Sequence, residues 1–167
     1  MRLRSYTAHD EAWARRAQEA LRADRFTFLL GWEPEMPWDE FITAQADHRV
    51  GRKLPEGIVR SEQLVAEAQG QPVGRVSLRF ELNEWLARQG GHIGYAVLPE
   101  FRRRGYATEI LRASLPLVHA AGVDAVLVCC DDDNLGSATV IERCGGVLEN
   151  ILPAQGDEAA LRRYWIT

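Results

Sequence analysis

The spacing of hydrophobic and polar residues predicts helices in the first part of the chain and mainly strands in the rest. Residues 2–6 alternate weakly and predict a first strand. The pattern predicts helices over residues 10–22 and 39–50, each beginning at an aspartate that can act as its N-cap. Two prolines lie between these helices, so residues 31–38 are predicted to form a loop.

The pattern beyond residue 58 is that of strands with two helices among them. A continuous apolar run is typical of a central strand that is covered on both faces, and residues 125–130 form such a run. The order of elements predicts an α/β fold of the α+β kind, a mixed sheet with helices packed on it. The predicted strands are residues 61–68, 73–82, 92–98, 125–130, 147–152 and 161–166, and the predicted helices are residues 105–121 and 134–145.

The composition is that of a globular protein and disfavours several classes of partner. The 167 residues are 46% hydrophobic and 26% charged, and we expect residues 1–167 to form a single domain. A net charge of −4 disfavours nucleic acid and anionic membrane surfaces as partners. No apolar run reaches membrane-spanning length and no signal peptide is evident, so we expect a cytoplasmic protein. The three cysteines lack the spacing of zinc ligands, and we predict no metal site.

The most informative segment joins the strand at 92–98 to the helix at 105–121. Three consecutive arginines at 102–104 precede Gly105 and Ala107, whose small side chains allow a phosphate to approach the backbone. The first N–H groups of a helix have no partner inside the helix, and together with the helix dipole they form an anion site. A diphosphate therefore fits this turn. The glycine patterns of the common nucleotide-binding loops are absent from the sequence.

Two motifs in this region resemble those of a known family. Arg102, Gly105 and Ala107 occupy the defining positions of the acetyl-CoA signature Gln/Arg-x-x-Gly-x-Gly/Ala, and the segment from Asn134 to Gly146 is similar to a second motif that follows a buried strand. Residues 60–167 therefore resemble the GNAT superfamily of N-acetyltransferases. The resemblance implies a mixed, mostly antiparallel sheet with helices on both faces. It also implies transfer of an acetyl group from acetyl-CoA to a primary amine.

The resemblance assigns expected roles in binding acetyl-CoA. Backbone groups of Val97 and Leu98 would hold the pantetheine arm, on a strand that is splayed from its neighbour. Backbone amides of residues 103–108 would hold the pyrophosphate, and Asn134 would hydrogen-bond the pantetheine. The expected cofactor-binding residues are Val97, Leu98, Arg102, Arg103, Arg104, Gly105, Tyr106, Ala107, Thr108 and Asn134.

The catalytic groups are less clearly marked. Many members of the family have a tyrosine acid on the last helix, at the position that Ile141 occupies here. Tyr164 and Tyr95 are the remaining phenols expected near the sheet. His92 is a candidate base, because a free imidazole has a pKa of ~6.5. The acidic candidates for a base are Glu81, at the end of a strand, and Glu84.

The acceptor is left open by the sequence. The resemblance places residues 25–60 along the acceptor site, where three aromatic residues and a methionine could line a pocket beside four acidic residues that would favour a cationic amine. A small molecule or a peptide N-terminus both suit this description, and the resemblance also allows a homodimer through the C-terminal strands. A non-catalytic acyl-CoA-binding or sensor module is the main alternative, because Ile141 removes the usual acid; binding of another phosphate ligand is a weaker one. The residues in question are Trp32, Met36, Trp38 and Phe41, with Glu33, Glu35, Asp39 and Glu40.

Overall fold

The computed structural model describes residues 1–156 and 159–167 and contains two antiparallel sheets. The first sheet has the strand order β1-β2-β3-β4, and the second has the order β5-β7-β6. The strands are β1 (Arg2–Arg4), β2 (Ser61–Ala68), β3 (Gln71–Arg79), β4 (Ile93–Val97), β5 (Val126–Asp131), β6 (Val147–Leu152) and β7 (Leu161–Ile166). The helices are α1 (Glu11–Ala20), α2 (Trp38–Arg49), α3 (Tyr106–Ala120) and α4 (Leu135–Arg143), with a short π-helix at Leu86–Gly90.

The predicted mixed α/β fold with mostly antiparallel strands is confirmed, and the element boundaries differ by a few residues. The second strand of the hairpin begins at Gln71 and ends at Arg79, so Glu81 follows the strand instead of ending it. The second helix begins at Trp38, one residue earlier than Asp39, after Pro37. A proline at or before the first helical position is compatible with a helix start because that position needs no N–H partner.

The two sheets meet at the beginning of β4. The His92 N–H donates to the Leu127 carbonyl oxygen at 2.7 Å, and the Leu127 N–H donates to His92 Nδ1 at 2.9 Å. After this contact β4 pairs with β3 while β5 pairs with β7, so the two strands diverge. A gap therefore opens between β4 and β5 toward their C-terminal ends, next to the start of α3.

Each face of the first sheet supports its own hydrophobic core. One core packs α3 and α4 against both sheets, and Val97 and Tyr164 belong to it. The other packs α1 and α2 against the opposite face, and Leu98 belongs to it. Successive side chains of a strand point to opposite faces, so neighbouring residues of β4 serve different cores.

Strand β6 is an edge strand with an exposed apolar surface. Val147, Leu148 and Ile151 are 71%, 43% and 46% exposed. An unpaired, apolar edge offers its backbone groups to another strand.

Among the described residues, no helix is both long enough and apolar enough to cross a membrane.

Candidate active site

The backbone of β4 presents unpaired polar groups to the gap. Leu98 donates its N–H to the Val73 carbonyl oxygen at 3.0 Å. Hydrogen-bonded and non-bonded pairs alternate along antiparallel strands, so Val97 and Tyr95 turn their N–H groups away from β3 and toward the gap. The N–H of Val97 is therefore suitably placed to bind a ligand in the gap.

The backbone groups of Leu98 are not available to a ligand, although the family resemblance gave Leu98 the same expected role as Val97. Its N–H is used by Val73, and its carbonyl oxygen accepts the Phe101 N–H at 2.9 Å. Both groups are satisfied within the protein. A backbone contact from Leu98 to a bound molecule would have to compete with these bonds.

Arg102 is held by the protein on two sides. Its Nε donates to the Val97 carbonyl oxygen at 3.1 Å, and its Nη2 pairs with Asp24 Oδ2 at 2.5 Å. The first contact fixes the end of β4, and the second connects the turn to the segment after α1. The Arg102 side chain thus acts within the protein to shape the turn.

The turn before α3 reverses the chain through two left-handed residues. Arg103 has φ 61° and Gly105 has φ 84°. Glycine adopts this region without the penalty that a Cβ brings, which explains its use at the helix N-cap. The side chains of Arg103 and Arg104 are exposed beside this turn, so two cationic groups stand at the helix start.

The first amides of α3 lie where the sequence predicts an anion site. The first helical hydrogen bond runs from the Glu109 N–H to the Gly105 carbonyl oxygen at 3.2 Å. The N–H groups of Tyr106, Ala107 and Thr108 precede it and have no helical acceptor. Together with the helix dipole and the two arginines, they favour a pyrophosphate at this position.

Helix α4 approaches the gap from the other side. The Asn134 side chain caps this helix, because its Oδ1 accepts the Ser137 N–H at 3.0 Å. The hydroxyl of Ser137 lies 2.8 Å from the hydroxyl of Tyr95, so a hydrogen bond joins β4 to α4. Burial raises the pKa of Tyr95, which keeps its phenol protonated at neutral pH.

Ser137 is a residue that sequence reasoning missed. It precedes the buried Ile141 by one helical turn, so both lie on the same face of α4. The signal was present in the spacing, because a hydroxyl lies one helical turn before the position of the usual tyrosine. The sequence does not indicate the hydrogen-bond partner of Ser137, because Tyr95 lies 42 residues away in the chain.

His92 occupies the junction of the two sheets. It is 6% exposed, and its Nδ1 accepts an amide N–H, so the ring proton is on Nε2. Burial and the nearby Arg79 guanidinium both lower the pKa of His92. The imidazole is therefore neutral, and the lone pair on its Nδ1 accepts the Leu127 N–H. These contacts favour a structural role over that of a base.

The other two catalytic candidates lie apart, one after β3 and one in β7, and have other partners. Glu81 is exposed beyond β3, where its Oε1 lies 3.6 Å from Arg60 Nε. Tyr164 is fully buried in β7, and its hydroxyl donates to Glu142 Oε1 at 3.1 Å. Burial raises the pKa of Tyr164. Neither group joins His92 in one cluster.

The acceptor side differs from the sequence expectation in its aromatic residues. Trp38 and Phe41 are buried in the α1–α2 core, where Trp38 donates its indole N–H to the Thr7 carbonyl oxygen at 2.9 Å. They pack the core and do not line an open pocket. Trp32 and Met36 are half-buried, and the four acidic residues near them are exposed to solvent.

A buried arginine attaches the segment between α1 and α2 to the sheet. Arg75 is 2% exposed and donates to the carbonyl oxygens of Phe28, Thr27 and Gly94 at 3.0, 2.9 and 3.1 Å. Burial lowers the pKa of Arg75 to about 10, so the guanidinium remains charged at neutral pH. Three carbonyl dipoles thus compensate a cation that has no carboxylate partner among the described residues.

Metal ligands are not grouped in the part of the chain that the structure describes. No cluster of three or more histidine, cysteine, aspartate or glutamate side chains lies there. The polar groups at the gap are backbone amides, hydroxyls and guanidinium groups, which suit anions and carbonyl oxygens.

Comparison with known families agrees with this arrangement. The family model of the acetyltransferase (GNAT) domain matches residues 1–147. The chain belongs to the GNAT acetyltransferase family and is an acyltransferase. None of the curated proteins matches the chain.

Solved structures of N-acetyltransferases share the fold. The spermidine N-acetyltransferase of Vibrio cholerae in complex with CoA and spermine is 19% identical, with a TM-score of 0.67 over 99% of this chain and 94% of its own. Mycobacterium smegmatis RimJ in complex with CoA-disulfide is 20% identical, with a TM-score of 0.72 over 99% of this chain and 80% of its own. RimL, a ribosomal alpha-N-protein acetyltransferase in complex with CoA, is 18% identical, with a TM-score of 0.70 over 98% and 92%.

Proposed function

We propose that the protein is an acetyl-CoA-dependent N-acetyltransferase that moves an acetyl group to a primary amine. The observation that carries this proposal is the gap between β4 and β5, which opens next to the unpaired amides of α3. The proposal treats residues 1–167 as one domain, because a single hydrophobic core contains residues of both sheets.

Acetyl-CoA would lie along the gap with its pyrophosphate at the helix start. The amides of residues 103–108 would bind the phosphate oxygens, and the exposed Arg103 and Arg104 would add charge. The N–H groups of Tyr95 and Val97 would bind the pantetheine and the thioester oxygen. Asn134 uses its Oδ1 for the helix cap, which leaves its amide nitrogen for the pantetheine.

The reaction needs a neutral amine, an oxyanion donor and a proton for the leaving thiolate. The amine nitrogen attacks the thioester carbon and forms a C–N bond, while an N–H of β4 stabilises the oxyanion. The former amine nitrogen gives up a proton to water, the C–S bond breaks, and the CoA sulfur takes a proton. We propose the hydroxyl pair of Tyr95 and Ser137 as its source, because it lies at the gap and Tyr95 keeps its proton.

The sequence candidates His92, Glu81 and Tyr164 take no part in this scheme. The proposed role of His92 is to join the two sheets, since its Nδ1 is bound by a backbone amide. Glu81 and Tyr164 have partners of their own away from the gap. Holding the amine next to the thioester supplies much of the acceleration in such a reaction.

The test compares two glycines at opposite ends of α3. Gly105 and Gly122 both have positive φ, and a Cβ added at either would meet no heavy atom within 4 Å. Gly105→Ala and Gly122→Ala should therefore lose similar stability, by about 1 kcal/mol. Millimolar acetyl-CoA should raise the melting temperature of the wild type and of Gly122→Ala by mass action, and should stabilise Gly105→Ala much less.

Two results would contradict the proposal. One is the absence of a thermal shift and of calorimetric heat when acetyl-CoA is added to the wild type. The other is binding without release of thiol, above the hydrolysis background, for every amine in a broad panel. The second result would instead support a non-catalytic acyl-CoA-binding module.

The exposed edge of β6 is the proposed site of a homodimer. Two copies of an apolar edge can pair antiparallel around a twofold axis, which satisfies the backbone groups of both. The 71% exposed Val147 lies on this edge. Light scattering should give the mass of a dimer for the wild type and of a monomer for Val147→Lys. A monomeric wild type at high concentration would overturn this assignment.

A further inference from the structure

The Arg79 guanidinium lies against Gly94 of β4. A Cβ built on Gly94 would be 3.2 Å from Arg79 Nη1 and 3.7 Å from its Nη2, so the guanidinium rests on a backbone that has no side chain. Arg79 shares its face of β3 with Arg75, whose contacts reach Thr27 and Phe28 between α1 and α2. The guanidinium therefore faces the side on which the acceptor is expected.

The donors of Arg79 are only partly used. Its Nη1 donates to the carbonyl oxygens of Gly90 and Gly91 at 3.1 and 3.4 Å. Within residues 1–156 and 159–167, its Nε and Nη2 have no hydrogen-bond partner, and no carboxylate pairs with it. Burial lowers the pKa of Arg79, as expected for a cation without a partner. A half-buried guanidinium without a carboxylate partner is costly and suits an anion that binds from outside.

A second arginine lies on the second sheet. Arg163 of β7 lies opposite the half-buried Cys129 of β5 in the strand register, and both Arg79 and Arg163 act on the Cys129 thiol electrostatically. The Arg163 side chain is 16% exposed; its Nη1 pairs with Glu149 Oε2 at 2.6 Å and its Nη2 donates to the Ala87 carbonyl oxygen at 2.9 Å, while its buried Nε has no partner among the described residues. Arg79 and Arg163 carry two positive charges, and among the described residues Glu149 is the one carboxylate that pairs with either of them. The pair of arginines therefore keeps a net positive charge.

The open stretch of β4 connects this charge to the reacting gap. Gly94, Tyr95 and Ala96 are half-buried, whereas Ile93 and Val97 on either side are buried. A ligand group can therefore approach β4 where Arg79 lies. In an α-amino acid the amine is two bonds from the carboxylate carbon, so an anchored carboxylate brings the amine close to the same stretch of strand.

We propose that Arg79, supported by Arg163, binds a carboxylate of the acceptor. The inference rests on the proposed function and narrows its substrate class to amines that carry a carboxylate. A planar guanidinium binds a carboxylate through two parallel hydrogen bonds, and Arg79 has Nε and Nη2 available for this. A polyamine would instead bring positive charge toward two guanidinium groups. Free amino acids and the C-terminal carboxylate of short peptides share the required chemistry.

The first experiment uses the wild-type protein and matched amines. Thiol release from acetyl-CoA is measured with phenylalanine and phenethylamine, with tryptophan and tryptamine, with dipeptides and their C-terminal amides, and with spermidine. The carboxylate should raise kcat/KM by about 10- to 100-fold within a pair. The amino-acid pairs and the dipeptide pairs show which source of carboxylate is used.

Two outcomes overturn the inference without touching the proposed function. One is equal or better turnover of the amines without a carboxylate, or of spermidine. The other is no turnover of any carboxylate-bearing amine while acetyl-CoA still raises the melting temperature. Failure of acetyl-CoA to bind at all would remove the proposed function itself, so the two failures are distinguishable.

The second experiment assigns the effect to Arg79. In Arg79→Gln the preference within each pair should disappear through a rise in KM, while the thermal shift with acetyl-CoA remains and shows that the variant is folded. Arg79→Lys keeps the charge without the fork and should restore part of the preference. Arg2→Gln removes an exposed guanidinium on β1 and should leave the preference unchanged. An unchanged preference in Arg79→Gln would overturn the assignment.

Discussion

The two faces of β4 carry opposite kinds of chemistry. On the face toward α3 and α4, Tyr95 meets the hydroxyl of Ser137 in neutral surroundings. On the other face, the guanidinium groups of Arg75 and Arg79 lie against Gly94. Because successive residues of a strand face opposite ways, the proposed proton donor at Tyr95 and the proposed acceptor site at Gly94 lie on opposite faces although the two residues are adjacent. The thioester would lie in the gap between them.

Removal of Arg75 should disturb this division most strongly. Arg75→Leu leaves the carbonyl groups of Thr27 and Phe28 without their donor. It thereby removes the attachment to the sheet of the segment between α1 and α2, which we call the acceptor segment after its expected role. We expect the free energy of unfolding to fall by about 3 kcal/mol. Urea denaturation measures this loss, and Arg75→Lys should recover part of it. A loss below about 1 kcal/mol would show that the buried cation contributes little to stability.

The neutral face is tested by removing its hydroxyls. Tyr95→Phe and Ser137→Ala should each lower kcat by about 10- to 100-fold, with little change in the KM for acetyl-CoA. The kcat of the double variant should be no lower than that of the less active single variant, because the two groups act as a unit. Thr139→Ala removes a hydroxyl that binds the Leu135 carbonyl oxygen within α4, and serves as the control. Full kcat in Tyr95→Phe would exclude this proton source.

The contact between His92 and Leu127, where the two sheets meet, should become less stable in acid. The folded-state pKa of His92 is lowered, so the unfolded chain binds more protons and stability falls as the pH drops below about 6.5. His92→Ala leaves the buried Leu127 N–H without an acceptor and should cost about 1–3 kcal/mol at neutral pH.

His92→Asn distinguishes the structural role from a catalytic one. The amide oxygen of asparagine can accept the same N–H without titrating. This variant should keep neutral-pH stability and kcat, and its stability should depend less on pH between 5 and 7. Loss of kcat in a variant with unchanged stability would restore His92 as a candidate base.

The smallest effect is expected at the exposed ion pair near the cofactor turn. Asp24 and Arg102 are both about half exposed, and such pairs contribute about 0–1 kcal/mol. Asp24→Asn should therefore change the acetyl-CoA dissociation constant by less than about twofold, because the bond from Arg102 Nε to Val97 remains. Calorimetric titration measures this constant. A larger loss would mean that Asp24 holds the turn in its binding shape.

The prediction of a cofactor site depends on local chemistry that the sequence shows directly. Arg102, Gly105 and Ala107 lie within six residues, and a helix start needs no distant partner to bind an anion. The same reasoning identified the strand before the turn and the helix after it. The prediction was weaker where backbone satisfaction decides the role, as at Leu98, whose N–H and carbonyl groups are both used inside the protein.

The acceptor side could not be predicted, because its contacts join distant parts of the chain. Arg75 meets Phe28 across 47 residues, and no pattern in the sequence marks that pairing. Trp38 and Phe41 resemble pocket residues by type, yet the core between α1 and α2 needs their volume and buries them. Charge was also misleading, since the acidic residues face solvent while the arginines lie against β4.

The contacts of Arg75 have a consequence for how this protein can diverge. Its three acceptors are main-chain carbonyl oxygens at positions 27, 28 and 94, and every amino acid supplies that group. Mutations that alter the side chains of the acceptor segment therefore leave its anchorage chemically unchanged. Substrate choice can drift over generations by point substitution while the segment stays docked, so one scaffold can serve lineages with different acceptors.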